Sequence, residues 1–298
     1  MRLVVASGKG GTGKTTLSVN LARALAPHET VGLLDCDVEE PNCHLFLNPD
    51  FDLMERVTSS VPVIDAEACT SCGLCARACE FHALVALPGV PLLLPELCHG
   101  CGACSYVCPE QAISDEEREI GWTGSGRVSG MYFRWGRLNV GQVLSTAVIR
   151  AVKHAEMLPP LDTLIMDAPP GVTCSAVETM RGADYAVLVT EPTPFGLHDL
   201  ELAVETATQL GLPCGVVINR AGIGNTSVDD FCAARRIPIL MKIAHQRSMA
   251  EACSRGEIMS AGDKSFAESL RSLAQDLRKR LSGQQNSELD DASHRVAV

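Results

Sequence analysis

Gly8-Lys9-Gly10-Gly11-Thr12-Gly13-Lys14-Thr15-Thr16 stands between the apolar run Leu3-Val4-Val5 and the segment Leu17-Ser18-Val19-Asn20-Leu21-Ala22-Arg23-Ala24-Leu25. The first flank reads as a strand and the second as a helix, so the glycine-rich stretch is a strand-to-helix turn. Its glycines let the backbone curl with N–H groups turned inward, and a helix opening at Lys14 adds the positive end of its dipole. Such a turn cradles phosphate oxygens. In this P-loop pattern Lys14 reaches the β and γ phosphates and Thr15 ligands magnesium, while Gly8, Gly10, Gly11, Thr12, Gly13 and Thr16 close around the anion.

Lys9 follows the first glycine directly, and here the loop resembles the deviant Walker A motif of the MinD, ParA and nitrogenase iron protein superfamily. In that superfamily the lysine crosses a dimer interface to the partner's nucleotide. The resemblance therefore implies Mg2+-dependent ATP hydrolysis to ADP and nucleotide-driven dimerisation, as a homodimer or with a related ATPase. A solvated surface lysine is the plainer reading of the same residue.

Two further segments extend the resemblance. Val31-Gly32-Leu33-Leu34-Asp35 reads as the second strand of a doubly wound sheet, and Asp35-Cys36-Asp37-Val38-Glu39-Glu40-Pro41-Asn42 resembles switch I of MinD-type ATPases. Strand ends in open α/β sheets face the ligand crevice, which sets Asp37 to orient the attacking water and Asp35 to support the loop or the magnesium shell. Thr163-Leu164-Ile165-Met166-Asp167 with Ala168-Pro169-Pro170-Gly171 resembles Walker B and switch II. That implies Asp167 holding magnesium through water and Gly171 admitting the γ-phosphate to the backbone. Asn219, after Val216-Val217-Ile218, matches the position where MinD-like ATPases read adenine; a strand-end cap is the alternative. Cys174 reads either as an extra thiolate near the nucleotide or as a small apolar side chain.

The chain has 298 residues and a net charge of -11, which argues against a nucleic-acid backbone as ligand. No apolar run approaches the ~20 residues that span a bilayer, and no signal-peptide pattern precedes Leu3, so a cytoplasmic protein is expected. Fourteen cysteines then point to metal rather than to disulfides.

Their spacing is informative. Cys69-x-x-Cys72-x-x-Cys75-x-x-x-Cys79 and Cys98-x-x-Cys101-x-x-Cys104-x-x-x-Cys108-Pro109 repeat the bacterial ferredoxin run, the pattern of two [4Fe-4S] clusters. Three thiolates wrap one cube while the fourth points to the other, giving Cys69, Cys72, Cys75 with Cys108, and Cys98, Cys101, Cys104 with Cys79. Zinc is the competing metal, but zinc knuckles pair two C-x-x-C units and leave the third cysteine without a task. Glu80 stands where the second copy has Pro109. Asp65, Glu67, Glu80, Glu96 and Glu110 against Arg77 make the segment acidic, suited to a redox or cluster-accepting protein partner with a basic face.

The expected fold is α/β, a doubly wound, mostly parallel P-loop sheet with an inserted small ferredoxin-like domain. Its boundaries fall at 1–58 for the first ATPase part, 59–114 for the insert, 115–282 for the second part and 283–298 for a disordered tail. Trp122, Tyr132, Phe133 and Trp135 with Arg127, Arg134 and Arg137 read as a β-hairpin packing the insert onto the ATPase, its arginines facing the insert's acids. Gly141–His154 and His198–Leu210 read as helices, and Tyr185–Thr190, Pro213–Asn219 and Ile237–Lys242 as strands. Phe266, Leu270, Leu273, Leu277 and Leu281 give the last helix one apolar face, which packs on the sheet rather than on a membrane.

Two functions of different class fit this pattern. One is an ATPase coupling dimerisation to electron transfer or metallocluster assembly. The other is a MinD-like spatial or regulatory switch with redox-sensing clusters.

Overall fold

The computed structural model describes residues 1–154 and 159–295, with side chains through 283. β1 (Arg2–Ala6) leads through the glycine-rich turn into α1 (Lys14–Leu25). In β1, Leu3 and Val5 join one apolar cluster while Val4 and Ala6 join another. Alternate side chains leave opposite faces of a strand, so this strand is covered on both sides, as an interior parallel strand must be.

The chain continues through β2 (Val31–Asp35), α2 (Cys43–Leu47) and the long β3 (Leu53–Ile64). A small unit at residues 65–112 follows, holding α3 (Leu74–Ala78), the hairpin β4 (Leu84–Val85) and β5 (Leu92–Leu93), and α4 (Ala103–Tyr106). β6 (Ile113–Val128) returns antiparallel to β3 and turns into β7 (Met131–Leu138), which α5 (Ser145–Lys153) follows. Strands and helices then alternate: β8 (Thr163–Asp167), α6 (Cys174–Met180), β9 (Tyr185–Thr190), α7 (Pro194–Gln209), β10 (Cys214–Ala221), α8 (Ser227–Arg235) and β11 (Ile239–Ala244). Three helices close the chain, α9 (Arg247–Ser254), α10 (Met259–Gly262) and α11 (Lys264–Arg295).

The main sheet has nine strands in the order β11-β10-β9-β1-β8-β2-β7-β6-β3. Every pairing from β11 to β7 is parallel, and β6 and β3 add antiparallel strands at one edge. α5, α7 and α8 pack on one face through Val148, Leu200 and Val228, and α1 and α11 on the other through Leu21 and Leu273. β1 lies between strands that continue in opposite directions along the sheet, so the crevice at its C-terminal end is where an open α/β sheet receives a ligand.

Several expectations shift in position. α7 starts at Pro194 rather than His198, because Thr193 caps it by accepting Gly196 N–H at 3.0 Å and proline suits the first helical turn. α5 starts at Ser145 rather than Gly141, which holds a positive φ of 82° in the preceding turn. The strands β3 and β6 run through the boundaries expected at 59 and 114. α11 extends to Arg295, into the stretch expected to be a disordered tail, while 296–298 lie outside the described residues.

The aromatic and basic hairpin is β6–β7, and it meets the small unit through Ile113 and Asp115 of β6 rather than through the arginine of β7 that burial fixes elsewhere. β7 is the parallel neighbour of β2, so Phe133 is fully buried and Arg134 pairs with Glu55 of β3 at 2.9 Å. Burial among sheet neighbours claims that arginine before any acid of the small unit can. Arg118 of β6 is the arginine that meets an acid of the unit, Glu96 at 2.8 Å.

The apolar stripe of α11 buries Leu270, Leu273 and Leu277 against the cluster containing α1, with Phe266 and Leu281 at its margin. Arg278 anchors this helix to Glu29 and donates to Thr163 Oγ1 at 2.9 Å. Among the described residues no helix is long and apolar enough to cross a membrane.

Candidate functional site

The phosphate loop owes its shape to close packing as well as to glycine freedom. Gly13 holds φ 96° at the N-cap of α1, and a Cβ there would overlap the Asn219 amide. A Cβ on Gly8 would overlap the backbone carbonyl of Asp199 in α7. Gly10 and Gly11 face more open space, and Thr12 is buried with its hydroxyl unpartnered among the described residues.

Lys14 is buried at the start of α1, and burial lowers its pKa while the charges of Asp167 and Asp37 act in the opposite direction. Thr15 Oγ1 donates to Asp167 Oδ2 at 2.6 Å, and Ser18 Oγ donates to Asp167 Oδ1 at 2.8 Å. Asp167 is thus held at the end of β8 by two hydroxyls from one face of α1. Asp35 accepts backbone N–H groups from Asp37 at 3.2 Å, Asn42 at 3.0 Å and Cys43 at 2.9 Å. That pattern pins the segment after β2 around a carboxylate.

Asp35 and Asp167 are both buried, and burial pushes both carboxyl groups up, with Asp167 adding repulsion at Asp35. Two buried carboxylates side by side are stabilised by a cation, which is what a magnesium–nucleotide complex supplies. Asp37 is raised to about 6 by burial first and by Asp167 second, with Lys14 opposing. Its carboxylate form therefore grows as pH rises through that value. If Asp37 orients the attacking water, Asp37→Asn is expected to lower turnover about 10²-fold with little change in nucleotide affinity. The wild-type rate is expected to climb with pH across about 6, and a flat profile would remove Asp37 from the chemistry.

Other members take places that the motifs did not specify. Gly171 holds φ 84° and its N–H donates to Ser7 O at 3.0 Å, so the loop after β8 is fastened to the phosphate loop. Asn219 Nδ2 donates to Thr12 O at 2.8 Å and its Oδ1 accepts Arg220 N–H at 2.9 Å. The amide therefore braces the phosphate loop while lining the cleft beside it. Lys9 Nζ lies 3.6 Å from Glu191 Oε2, and the other oxygen of that carboxylate meets Arg220 at 2.6 Å. Cys174 is exposed at the start of α6.

A cleft of about 530 Å³ opens from this loop, walled by Gly11, Gly13, Lys14, Thr15 and Thr16 on one side and by Arg220, Ile223, Gln246 and Met249 on the other. A mixed wall holding Ile223 and Met249 next to a phosphate cradle is the shape of a nucleotide site. Ser18, Arg220 and Cys253 belong to this neighbourhood without having stood out in sequence. Ser18 had one signal, its place one helical turn after Lys14, where side chains share a face. Arg220 had none, because only the sheet order brings the end of β10 to the carboxylate that Lys9 meets.

The eight ferredoxin-pattern thiols gather in the small unit. Cys69, Cys72, Cys75 and Cys108 line one cavity, with Ile64, Pro91 and Ile113 in its wall. Cys79, Cys98, Cys101 and Cys104 line a second, with Phe81, Leu84 and Leu93. Backbone N–H groups of Ala83, Gly100 and Ala112 donate to Cys79, Cys98 and Cys108 Sγ at 3.3, 3.5 and 3.3 Å, a setting that suits thiolate sulfur. Among the described residues, the group of three or more potential metal ligands drawn within 4.8 Å of one another is Asp35, Cys43 and Asp167. Neither thiol quartet contracts to the spacing of one tetrahedral zinc, whose sulfur ligands sit at about 2.3 Å from the metal. Four thiolate donors at each cavity are the donor set that the ferredoxin pattern calls for.

A central parallel strand, a phosphate loop and paired strand-end aspartates define an α/β P-loop nucleotide-binding protein. The chain belongs to the CobQ/CobB/MinD/ParA nucleotide binding domain family, which it matches over residues 3–259. It is 34% identical over 226 residues to the protein MJ0578 of Methanocaldococcus jannaschii, covering 76% of this chain and 80% of that one. An iron-sulfur cluster carrier protein of Helicobacter pylori is 26% identical over 294 residues, 92% of this chain and 66% of its own length. The septum site-determining protein MinD of Pyrococcus horikoshii OT3, solved with Mg-ADP, shares the fold with a TM-score of 0.56 at 20% identity, covering 93% of this chain and 95% of that one.

Proposed function

We propose that the chain is a Mg2+-dependent ATPase that couples nucleotide-driven dimerisation to electron transfer through two [4Fe-4S] clusters. Cys69, Cys72, Cys75 and Cys108 would hold one cluster, and Cys98, Cys101, Cys104 and Cys79 the other. The observation that carries the coupling is a pair of backbone hydrogen bonds. Leu138 N–H, at the end of β7, donates to Val38 O at 2.7 Å, one residue beyond Asp37. The next residue, Asn139, donates to Ile120 O at 2.9 Å. Ile120 sits where the β3–β6 register slips between Val57 and Thr58, at the root of the ribbon that carries the thiols. A rearrangement around Asp37 on nucleotide exchange would thus reach the base of the cluster unit through two peptide contacts.

Within the nucleotide site, Lys14 and the inward N–H groups would hold phosphate oxygens, Thr15 and Asp167 the magnesium shell, and Asp37 the attacking water. The clusters would supply one-electron redox capacity. Cluster delivery is the second reading, favoured by the name that the Helicobacter pylori relative carries. Closed quartets with the full ferredoxin spacing favour retention over delivery.

The cluster assignment is tested by Cys79→Ser purified without oxygen. Iron is expected to fall from about eight to about four atoms per chain, with Cys98, Cys101 and Cys104 becoming open to alkylation while Cys69, Cys72 and Cys75 stay protected. Exposure of the Cys69 group instead would reverse the ligand sets, and zinc in the wild type would end the redox reading. Coupling is tested by recording the cluster potential with and without Mg-ATP, where an unchanged potential and an unchanged electron-transfer rate would refute it.

Dimerisation has its own pair of variants. Lys9→Ala is expected to stop ATP-dependent dimer formation, whereas Glu191→Gln frees Lys9 from its ion pair and should promote it. Sedimentation at fixed protein concentration reads both, and identical profiles for the two variants and wild type would remove Lys9 from the interface.

A further inference from the structure

The β4–β5 hairpin lies over the metal unit and is apolar on both faces. Leu84 pairs with Leu93 and Val85 with Leu92 across its two short strands. Side chains alternate along a strand, and the pairs divide accordingly. Leu84 and Leu93 turn inward and wall the Cys79 cavity, while Pro91 walls the Cys69 cavity. Val85 and Leu92 turn outward, 38% and 49% exposed, and the connecting loop adds Leu87 and Val90 at 49% and 37%. A hairpin this short gains nothing by presenting four large aliphatic side chains to water, and contiguous apolar surface of this kind marks a contact site.

Charge identifies the occupant. Residues 65–112 carry Asp65, Glu67, Glu80, Glu96 and Glu110 against the single Arg77, and Glu96 is already paired with Arg118 of the ribbon. Thiolate-bound clusters would add further negative charge. A second copy of the unit, or an anionic membrane surface, would be repelled by that net negative charge, whereas a basic partner surface would be drawn in. Beside the hairpin, Phe81 and His99 stack with ring centroids 3.7 Å apart and planes within 10°, both at the wall of the Cys79 cavity. A partner seated on the hairpin would come up against that wall.

We infer that the outer face of this hairpin, formed by Val85, Leu87, Val90 and Leu92, docks a one-electron redox protein whose contact is an apolar patch ringed by lysine and arginine. The inference rests on the cluster reading above. The step is a single electron leaving a reduced cluster for the partner's oxidised centre, with no bond made and no proton moved.

The test uses the full chain with its clusters, prepared without oxygen and reduced with dithionite that is then removed, and oxidised cytochrome c as a probe with a basic ring around an exposed haem edge. Affinity is measured by titration calorimetry and electron delivery by stopped-flow absorbance of the haem. Leu87→Ser combined with Val90→Ser is expected to weaken binding about tenfold and slow delivery in proportion, with iron and sulfide content unchanged. Wild-type affinity is expected to fall as salt rises, and an acidic flavodoxin is expected to bind more weakly than cytochrome c. Equal affinity of variant and wild type in iron-replete protein would overturn the docking surface and leave the cluster reading standing. So would tighter binding of flavodoxin, or a wild-type self-association that the double variant abolishes. Absence of iron and sulfide from the wild type would overturn the cluster reading itself.

Discussion

Lys14→Ala is expected to lower ATP turnover about 10³-fold, the scale of losing a preorganised charge aimed at a transferring phosphoryl group. The side chain is buried at the start of α1, where the charges of Asp167 and Asp37 act on it. Its ammonium also balances Asp167, and its removal leaves two buried carboxylates with less compensation. Magnesium–nucleotide binding should weaken together with turnover. Iron and sulfide should stay at the wild-type level, since the thiol cavities lie in the separate unit at residues 65–112. Turnover within about tenfold of wild type, read as phosphate release at saturating Mg-ATP, would remove the loop from catalysis.

Gly8→Ala is expected to cost about 3 kcal/mol of stability, at the upper end of overpacking. The added methyl meets a backbone carbonyl, that of Asp199, rather than the end of a flexible side chain. Either α7 moves away from the phosphate loop or the loop is displaced, and both disturb the Lys9–Glu191 pair beside α7. The shift of the urea midpoint at unchanged slope measures the cost. A neutral result would mean that the approach of α7 to the loop relaxes freely.

Both residues belong to a stretch that is almost completely legible in the sequence. A strand, a glycine-rich turn and a helix occupy adjacent residues, so local pattern alone places Lys14, Thr15 and the glycines. The strand-end carboxylates Asp35 and Asp167 are legible too, because in an alternating chain an apolar run closed by aspartate marks a strand whose end faces the crevice. Contact partners are beyond the reach of such patterns. Asn219 reads as a strand-end amide, yet its position against Thr12 O depends on β10 lying two strands from β1 in the sheet. Arg134 reads as one more arginine near an acidic segment, and only the parallel pairing of β7 with β2 shows that it lies inside the sheet. The start of α7 is hidden because Thr193-Pro194 has the composition of a loop, and its capping bond forms only once the helix is in place.

Beyond the register slip at Val57/Thr58, the β3–β6 ribbon is paired with itself alone among the described residues, Thr58–Ile64 against Ile113–Glu119, and it projects past the end of β7. Seven residue pairs at about 3.4 Å each make an arm of about 24 Å. A swing of about 10° at its foot carries the tip through about 4 Å, larger than most displacements available inside a packed core. Geometry alone would then turn the loss of one phosphate into a stroke long enough to seat or unseat a neighbour at the far end.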